Sequence, residues 1–139
     1  MNLKFTLAYD GSLFQGSQKQ PNGMTVEDKL LKAFKKINIE TNIVLSGRTD
    51  KEVHATGQVF NCVVPDFWQD FFKLKDILNK NLPSSIKILR IQKVKDDFHS
   101  RFHAKKRVYR YLITTKPTTP FNNKFIVTQV SVEYKKWFF

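Results

Sequence analysis

Acidic residues, cysteine and long apolar runs are all scarce in this chain, and each scarcity narrows what it can be. The 139 residues carry 12 Asp and Glu against 24 Lys and Arg, a formal net charge of +12. Cys62 is the only cysteine, so no internal disulfide can form, which fits a reducing compartment. With one cysteine and no paired His/carboxylate spacing, no metal site is expected. No apolar run approaches the ~20 residues that span a bilayer, and Met1-Asn2-Leu3-Lys4-Phe5 has no signal-peptide core. The chain therefore reads as cytoplasmic, with no membrane association. The Gly-, Gln- and Ser-rich loop from Gly11 to Gly23 lacks a Gly-Lys-Ser/Thr ending, so a nucleotide P-loop is not supported. There is no internal repeat and no low-complexity tract.

What is present is enough for one domain with a proper core. Hydrophobic residues make up 41% of the chain, too many for disorder by composition. The positive charge is uneven. Residues 1–60 hold 8 basic and 6 acidic side chains, and residues 61–104 hold 8 and 5. Residues 105–139 hold 8 and 1, a net of +7 among many aromatics. A basic excess concentrated in one third suggests a polyanion such as nucleic acid. A generally basic proteome would give the same balance, and charge alone does not separate the two.

Periodicity orders the elements. Leu3, Phe5, Leu7 and Tyr9 alternate with polar or small residues, predicting a strand with one buried face. Asp10-Gly11-Ser12 then breaks it with turn chemistry. Thr25-Val26-Glu27-Asp28 is a capping-box pattern, and Val26, Leu30, Ala33, Phe34 and Ile37 follow at helical spacing. Lys29, Lys32, Lys35 and Lys36 fall mostly off that stripe, as a solvated face. Ile43-Val44-Leu45 and Gln58 to Val64 read as strands. Phe71, Leu74, Ile77 and Leu78 mark a second helix, stopped at Leu82-Pro83. Ile86, Ile88 and Ile91 to Val94 give a fourth strand. The order βαββαβ predicts an α+β, ferredoxin-like (split βαβ) domain, with an antiparallel sheet and both helices on one face. A further strand is expected over Arg107–Thr114, with Arg107, Tyr109, Tyr111 and Ile113 on one side and Val108, Arg110 and Leu112 on the other. Phe125-Ile126-Val127 suggests another short strand. Residues 116–139 read as an atypical basic, aromatic tail, ending Trp137-Phe138-Phe139, after a domain spanning 1–115.

The stretch most suited to chemistry is Ser46-Gly47-Arg48-Thr49-Asp50, followed by Val53-His54-Ala55 and Gly57-Gln58-Val59. It lies between two predicted strands and sets an acid two residues after an arginine. This stretch resembles the catalytic loop of the tRNA pseudouridine synthase A (TruA) family. Three others agree with the family in order and spacing. They are Tyr9-Asp10-Gly11-Ser12 with Gly16 and Gln18; Asn79 with Asn81-Leu82-Pro83; and Phe98-His99-Ser100-Arg101-Phe102 with Arg107-Val108-Tyr109-Arg110-Tyr111. The resemblance covers residues 1 to about 126 and implies the N-terminal half of the pseudouridine synthase fold.

It also implies a reaction: uridine becomes pseudouridine in the anticodon arm of tRNA. The C–N glycosidic bond breaks, the base rotates, and it is rebonded through carbon. The atoms balance, so no redox or group-transfer cofactor is required. The essential group is a carboxylate beside the ribose, and Asp50 matches the family's. It attacks the anomeric carbon or takes a proton from the neighbouring carbon; the sequence leaves both routes open. Burial alone raises a carboxylate's pKa and a nearby guanidinium lowers it again; Arg48 suits that role or a phosphate contact. Tyr109 matches the family's active-site tyrosine, whose phenol stacks on the uracil. Arg101, Lys105, Lys106, Arg107 and Arg110 are candidate phosphate contacts, and His54 is a candidate to steer the loop or touch the RNA backbone. The family works as a homodimer with tRNA across both subunits.

Three departures stand out. The family usually has a tryptophan where Ser17 stands. After the catalytic acid it usually has alanine or glycine and then glycine, where this chain has Lys51-Glu52. If that position needs φ > 0, Glu52 is strained there. Family chains are also about twice as long. Their second half closes the cleft and supplies an arginine to the acid, and nothing after Val127 resembles it. Three functions stay open: an active synthase, an RNA-binding fragment without turnover, or a generic ferredoxin-like interaction domain with no RNA role.

Overall fold

A computed structural model describes residues 1–129 of the chain. It divides into two compact units, Met1–Lys105 and a second beginning at Lys106. The predicted valine- and aromatic-rich end, Val130 to Phe139, lies outside the described residues.

The first unit contains β1 (Asn2–Tyr9), a 3₁₀ turn at Gly11–Leu13, α1 (Val26–Lys36), β2 (Val44–Leu45), β3 (Ala55–Val63), α2 (Phe71–Lys80) and β4 (Ile86–Lys93). The sheet order is β2-β3-β1-β4, and every neighbouring pair is antiparallel. This is the expected ferredoxin-like α+β arrangement. β1 is central because it is the strand with the cleanest period-two pattern. Leu3, Phe5, Leu7 and Tyr9 are buried on one face, in one cluster with Val26, Leu30, Ala33 and Phe34 of α1 and Leu74 and Leu78 of α2. Phe5 stacks on its cross-strand neighbour Phe60 with centroids 4.5 Å apart, and Phe34 meets both rings edge-on. Such aromatic pairs add about 0.5–1.5 kcal/mol each beyond the area they bury.

The helix ends follow their sequence signals. Thr25 caps α1, its hydroxyl accepting from the Asp28 N–H at 3.2 Å and donating to the Asp28 carboxylate at 2.7 Å. Beyond the C-terminal end of α1, Asn38 takes a left-handed φ of 61°, a conformation asparagine tolerates better than most residues. Asp70 caps α2 in the same way as Thr25 caps α1.

On the opposite sheet face, Asn2 and Asn61 are buried together. Asn61 Nδ2 donates to Asn2 Oδ1 at 3.1 Å and its Oδ1 accepts from Ser100 N–H at 2.8 Å, while Asn2 Nδ2 donates to the Lys95 and Phe98 carbonyls. The two side chains thus fasten the 95–100 turn to the sheet. At the other end, β3 carries one more residue than β1 between the Leu7–Gln58 and Tyr9–Ala55 pairs. That bulge turns β3 toward the 46–54 loop, a common use of bulges beside functional sites.

In the second unit, Ile113–Thr114 (β5) pairs in parallel with Val127–Thr128 (β6). The strand predicted over Arg107–Thr114 is therefore realised only in its last two residues, and Phe125-Ile126-Val127 only from Val127. Alternation supplies a strand with faces, but a ladder partner decides its length, and β6 is two residues long. The predicted two-sided placement of Arg107, Tyr109, Tyr111 and Val108, Arg110, Leu112 does not arise. Among the described residues, no helix is long and apolar enough to cross a membrane.

Candidate active site

The loop between β2 and β3 is held from beneath at both ends, and Asp50 stands between the two attachments. On the approach side, Ser46 N–H still donates to the Val59 carbonyl at 2.8 Å, extending the β2–β3 ladder. Gln58 Nε2 donates to the Gly47 carbonyl at 2.9 Å. Thr49 then meets two buried side chains. Its N–H donates to Ser17 Oγ at 2.8 Å, its carbonyl accepts from Ser17 N–H at 3.0 Å, and its hydroxyl lies 2.7 Å from the Tyr9 hydroxyl.

On the departing side, the Val53 N–H donates back to the Asp50 carbonyl at 3.2 Å. His54 Nδ1 lies 3.0 Å from the Gly11 nitrogen and 3.2 Å from Asp10 Oδ1. It accepts from the Gly11 N–H in the tautomer protonated at Nε2, or donates to Asp10 when Nδ1 carries the proton. Asp10 Oδ1 also accepts from the Ser12 N–H and hydroxyl at 3.1 and 2.6 Å. Gly11 packs against the loop so closely that a Cβ there would lie 1.9 Å from the Val53 carbonyl oxygen. Gly16, at φ +94°, brings its backbone under Thr49, where a Cβ would lie 3.1 Å from the Thr49 carbonyl oxygen. Both glycines belong to the turn after β1, which is how that turn supports the loop.

Asp50 itself points outward, with its side chain 84% exposed, and Arg48 beside it is 67% exposed. Arg48 Nε lies 3.8 Å from Asp50 Oδ1, a loose pairing that leaves the carboxylate available to a ligand. Glu52 has φ 68°, the left-handed conformation for which the family's glycine is suited; for a residue with a Cβ this costs about 1–2 kcal/mol.

The structure therefore brings Arg48, Asp50 and His54 into one loop. His54 is half-buried against Gly11 and Asp10. Arg101 and Lys105 are exposed in the first unit. Lys106, Arg107, Tyr109 and Arg110 are exposed in the second unit, Tyr109 at 65%. Three further residues support the loop, though sequence reasoning assigns none of them that role. Tyr9, in a motif of the resemblance, occupies a core position of β1 and its hydroxyl is used at the end of the strand. Gln58, in the stretch that follows the loop, holds it by its side chain. Ser17, where the family usually has tryptophan, is fully buried.

Asp50 thus stands as an outward carboxylate beside a guanidinium, on a loop hydrogen-bonded from beneath at the end of a ferredoxin-like sheet. The family model described as tRNA pseudouridine synthase matches residues 6–103, and the chain belongs to that family. Among curated proteins, it is 42% identical over 123 residues to the tRNA pseudouridine synthase A of Helicobacter pylori (strain HPAG1), covering 88% of this chain and 50% of the relative. It is 37% identical over 126 residues to the tRNA pseudouridine synthase A of Campylobacter jejuni subsp. jejuni serotype O:2 (strain ATCC 700819 / NCTC 11168), covering 91% and 52%. The chain spans about half the length of the curated relatives it matches.

Proposed function

We propose that the chain contributes the catalytic half of a tRNA pseudouridine synthase acting on uridines of the anticodon arm, with Asp50 as the reacting carboxylate. The observation that carries this is the placement of Asp50: exposed at the crest of a loop whose flanking residues are hydrogen-bonded from below. A flipped-out nucleotide reaches such a group without any rearrangement of the fold. The carboxylate attacks the anomeric carbon or removes the neighbouring proton as the N1–C1′ bond breaks. The uracil turns and C5 bonds to C1′, displacing the Asp50 carboxylate from C1′ in the first route or accompanied by return of the abstracted proton to the neighbouring carbon in the second; the hydrogen on C5 leaves as a proton, and N1 gains one. No electron is transferred, and no cofactor is needed.

Arg48 pairs with the carboxylate or holds an adjacent phosphate. Tyr109 stacks on the base. Arg101, Lys105, Lys106, Arg107 and Arg110 neutralise backbone phosphates, giving salt-dependent binding without sequence information. Catalysis resides in residues 1–115, with 116–139 as an appended basic segment. The working assembly is a homodimer in the cytoplasm, where the tRNA is. A second function is favoured by the openness of the site, since the Asp50 side chain is 84% exposed and the reaction calls for a drier environment: an RNA-binding half that requires the remainder of the enzyme for turnover. Asp50→Ala separates the two. Under the first, it abolishes pseudouridine formation, mapped by sequencing, and leaves the tRNA gel shift intact. Under the second, the wild-type chain shifts tRNA and forms no pseudouridine. Absence of any salt-dependent tRNA binding contradicts both.

A further inference from the structure

We propose that Ser17 and Tyr9 are positioning residues that set the Asp50 carboxylate through Thr49; this rests on Asp50 being the reacting group. Hydrogen bonds concentrate on Thr49. Its N–H, its carbonyl and its hydroxyl are all engaged, by Ser17 Oγ at 2.8 Å, Ser17 N at 3.0 Å and Tyr9 OH at 2.7 Å. A fourth contact joins the Ser17 hydroxyl to the Thr49 carbonyl at 3.4 Å. Ser17 is 0% and Tyr9 5% exposed, so water does not compete for these bonds. The Tyr9 hydroxyl is in turn approached by Gln58 Nε2 at 3.5 Å, the same group that holds the Gly47 carbonyl.

Asp50 is the first residue beyond this clamp, and among the described residues its side chain has the loose Arg48 contact at 3.8 Å. The direction in which the carboxylate leaves the loop is therefore fixed chiefly by the Thr49 peptide. Ser17 and Tyr9 lie beneath the loop and do not face the ligand side, so they act on the reaction through Thr49 alone. A displacement of about 1 Å at a reacting group is worth about a hundredfold in rate, which makes a buried two-residue clamp consequential.

The test uses the full 139-residue chain as wild type, Ser17→Ala, Tyr9→Phe, Thr49→Val, Thr49→Ser and the Tyr9→Phe/Thr49→Val pair. Amide exchange at Thr49 and the carboxyl ¹³C chemical shift of Asp50 at fixed pH are read by NMR. Single-turnover pseudouridine formation and affinity are measured with a tRNA transcript. The expected result is Thr49 exchange about tenfold faster in Ser17→Ala, in line with the loss of one hydrogen bond, with β1 and β3 amides unchanged. The Asp50 carboxyl resonance moves in Ser17→Ala, Tyr9→Phe and Thr49→Val. Turnover falls tenfold or more at unchanged tRNA affinity. Thr49→Ser, which keeps the hydroxyl, behaves as wild type, and the double variant is no worse than either of its singles. Thr49 exchange and an Asp50 carboxyl resonance identical to wild type in both Ser17→Ala and Tyr9→Phe overturn the proposal, as does a rate loss matched by an equal loss of affinity. If Ser17→Ala does not fold, the Thr49→Val and Thr49→Ser pair decides on the same readouts. A wild-type chain that binds tRNA without turnover decides for the RNA-binding half over the active synthase, and the exchange and carboxyl measurements then decide the clamp by themselves.

Discussion

Replacing Gly11 with alanine should unseat the Asp50 loop. A Cβ at this position would lie 1.9 Å from the Val53 carbonyl oxygen and 2.5 Å from its carbonyl carbon, where 3.0 Å is the practical minimum. The two segments would have to part by about 1 Å, and both sides of the clash are backbone. Neither side is free to yield. Asp10 N–H is bonded to the Ser85 carbonyl at 2.9 Å, and Phe14 N–H to the Gly11 carbonyl at 3.2 Å. Val53 is closed onto Asp50, and Ala55 is already paired with Tyr9. Overpacking of this kind costs about 1–3 kcal/mol, and losing the Gly11–His54 hydrogen bond adds about 1 kcal/mol. At about 4–8 °C per kcal/mol for a domain near 100 residues, the melting temperature should fall by roughly 10 °C or more. Turnover should fall about a hundredfold, because the displaced segment is the one that carries Asp50. Thermal unfolding followed by circular dichroism, and single-turnover pseudouridine formation, measure the two effects. Gly57→Ala is the matched control: no atom lies within 4 Å of its added Cβ, so the melting temperature should be unchanged or slightly higher. Gly11→Ala with wild-type melting and wild-type turnover would refute the packing described for the loop.

Two further outcomes follow from the buried polar groups. Asn61→Ala should lower stability by about 1–3 kcal/mol, because the buried Asn2 amide and the Ser100 N–H lose their shared partner; a urea midpoint within error of wild type would contradict this. Burial pushes the Cys62 thiol from 9.0 up to about 12, with a hydrogen bond from Thr41 pulling the other way. The folded chain thus keeps its proton between pH 9 and about 12, where the unfolded chain releases it, so stability is full below pH 9 and falls as pH rises through that window. Wild type should therefore lose more stability than Cys62→Ala between pH 8.5 and 10.5 in urea titrations, and parallel losses would argue against a buried thiol.

The fold was legible wherever burial imposes a period. β1 alternates because one face packs on the helices, and α1 shows its stripe and its Thr25 cap for the same reason. The start of β3 was less legible: the sequence marks Gln58, but pairing of Tyr9 with Ala55 across a bulge carries the strand three residues further back. Arg107 to Leu112 alternates as a strand would, yet alternation says nothing of a ladder partner, and only Ile113–Thr114 is paired among the described residues. Within the site, Asp50 and Arg48 were legible as an acid and a guanidinium on one loop. The expected strain at Glu52 is present as a φ of 68°. His54 offered two roles, and the contacts it makes with Gly11 and Asp10 were not legible in the sequence. Ser17 was illegible, because nothing in a Gly-, Gln- and Ser-rich loop marks which serine will be buried against a backbone 32 residues away.

The most direct test of the proposed chemistry is tritium release from tRNA carrying uridine labelled at C5, with protein in excess over tRNA. Bonding of C5 to C1′ must expel that hydrogen to solvent. Wild-type chain should release tritium from anticodon-arm uridines, and Asp50→Ala should release none while binding the same tRNA. Equal release by both proteins would contradict the central role given to Asp50.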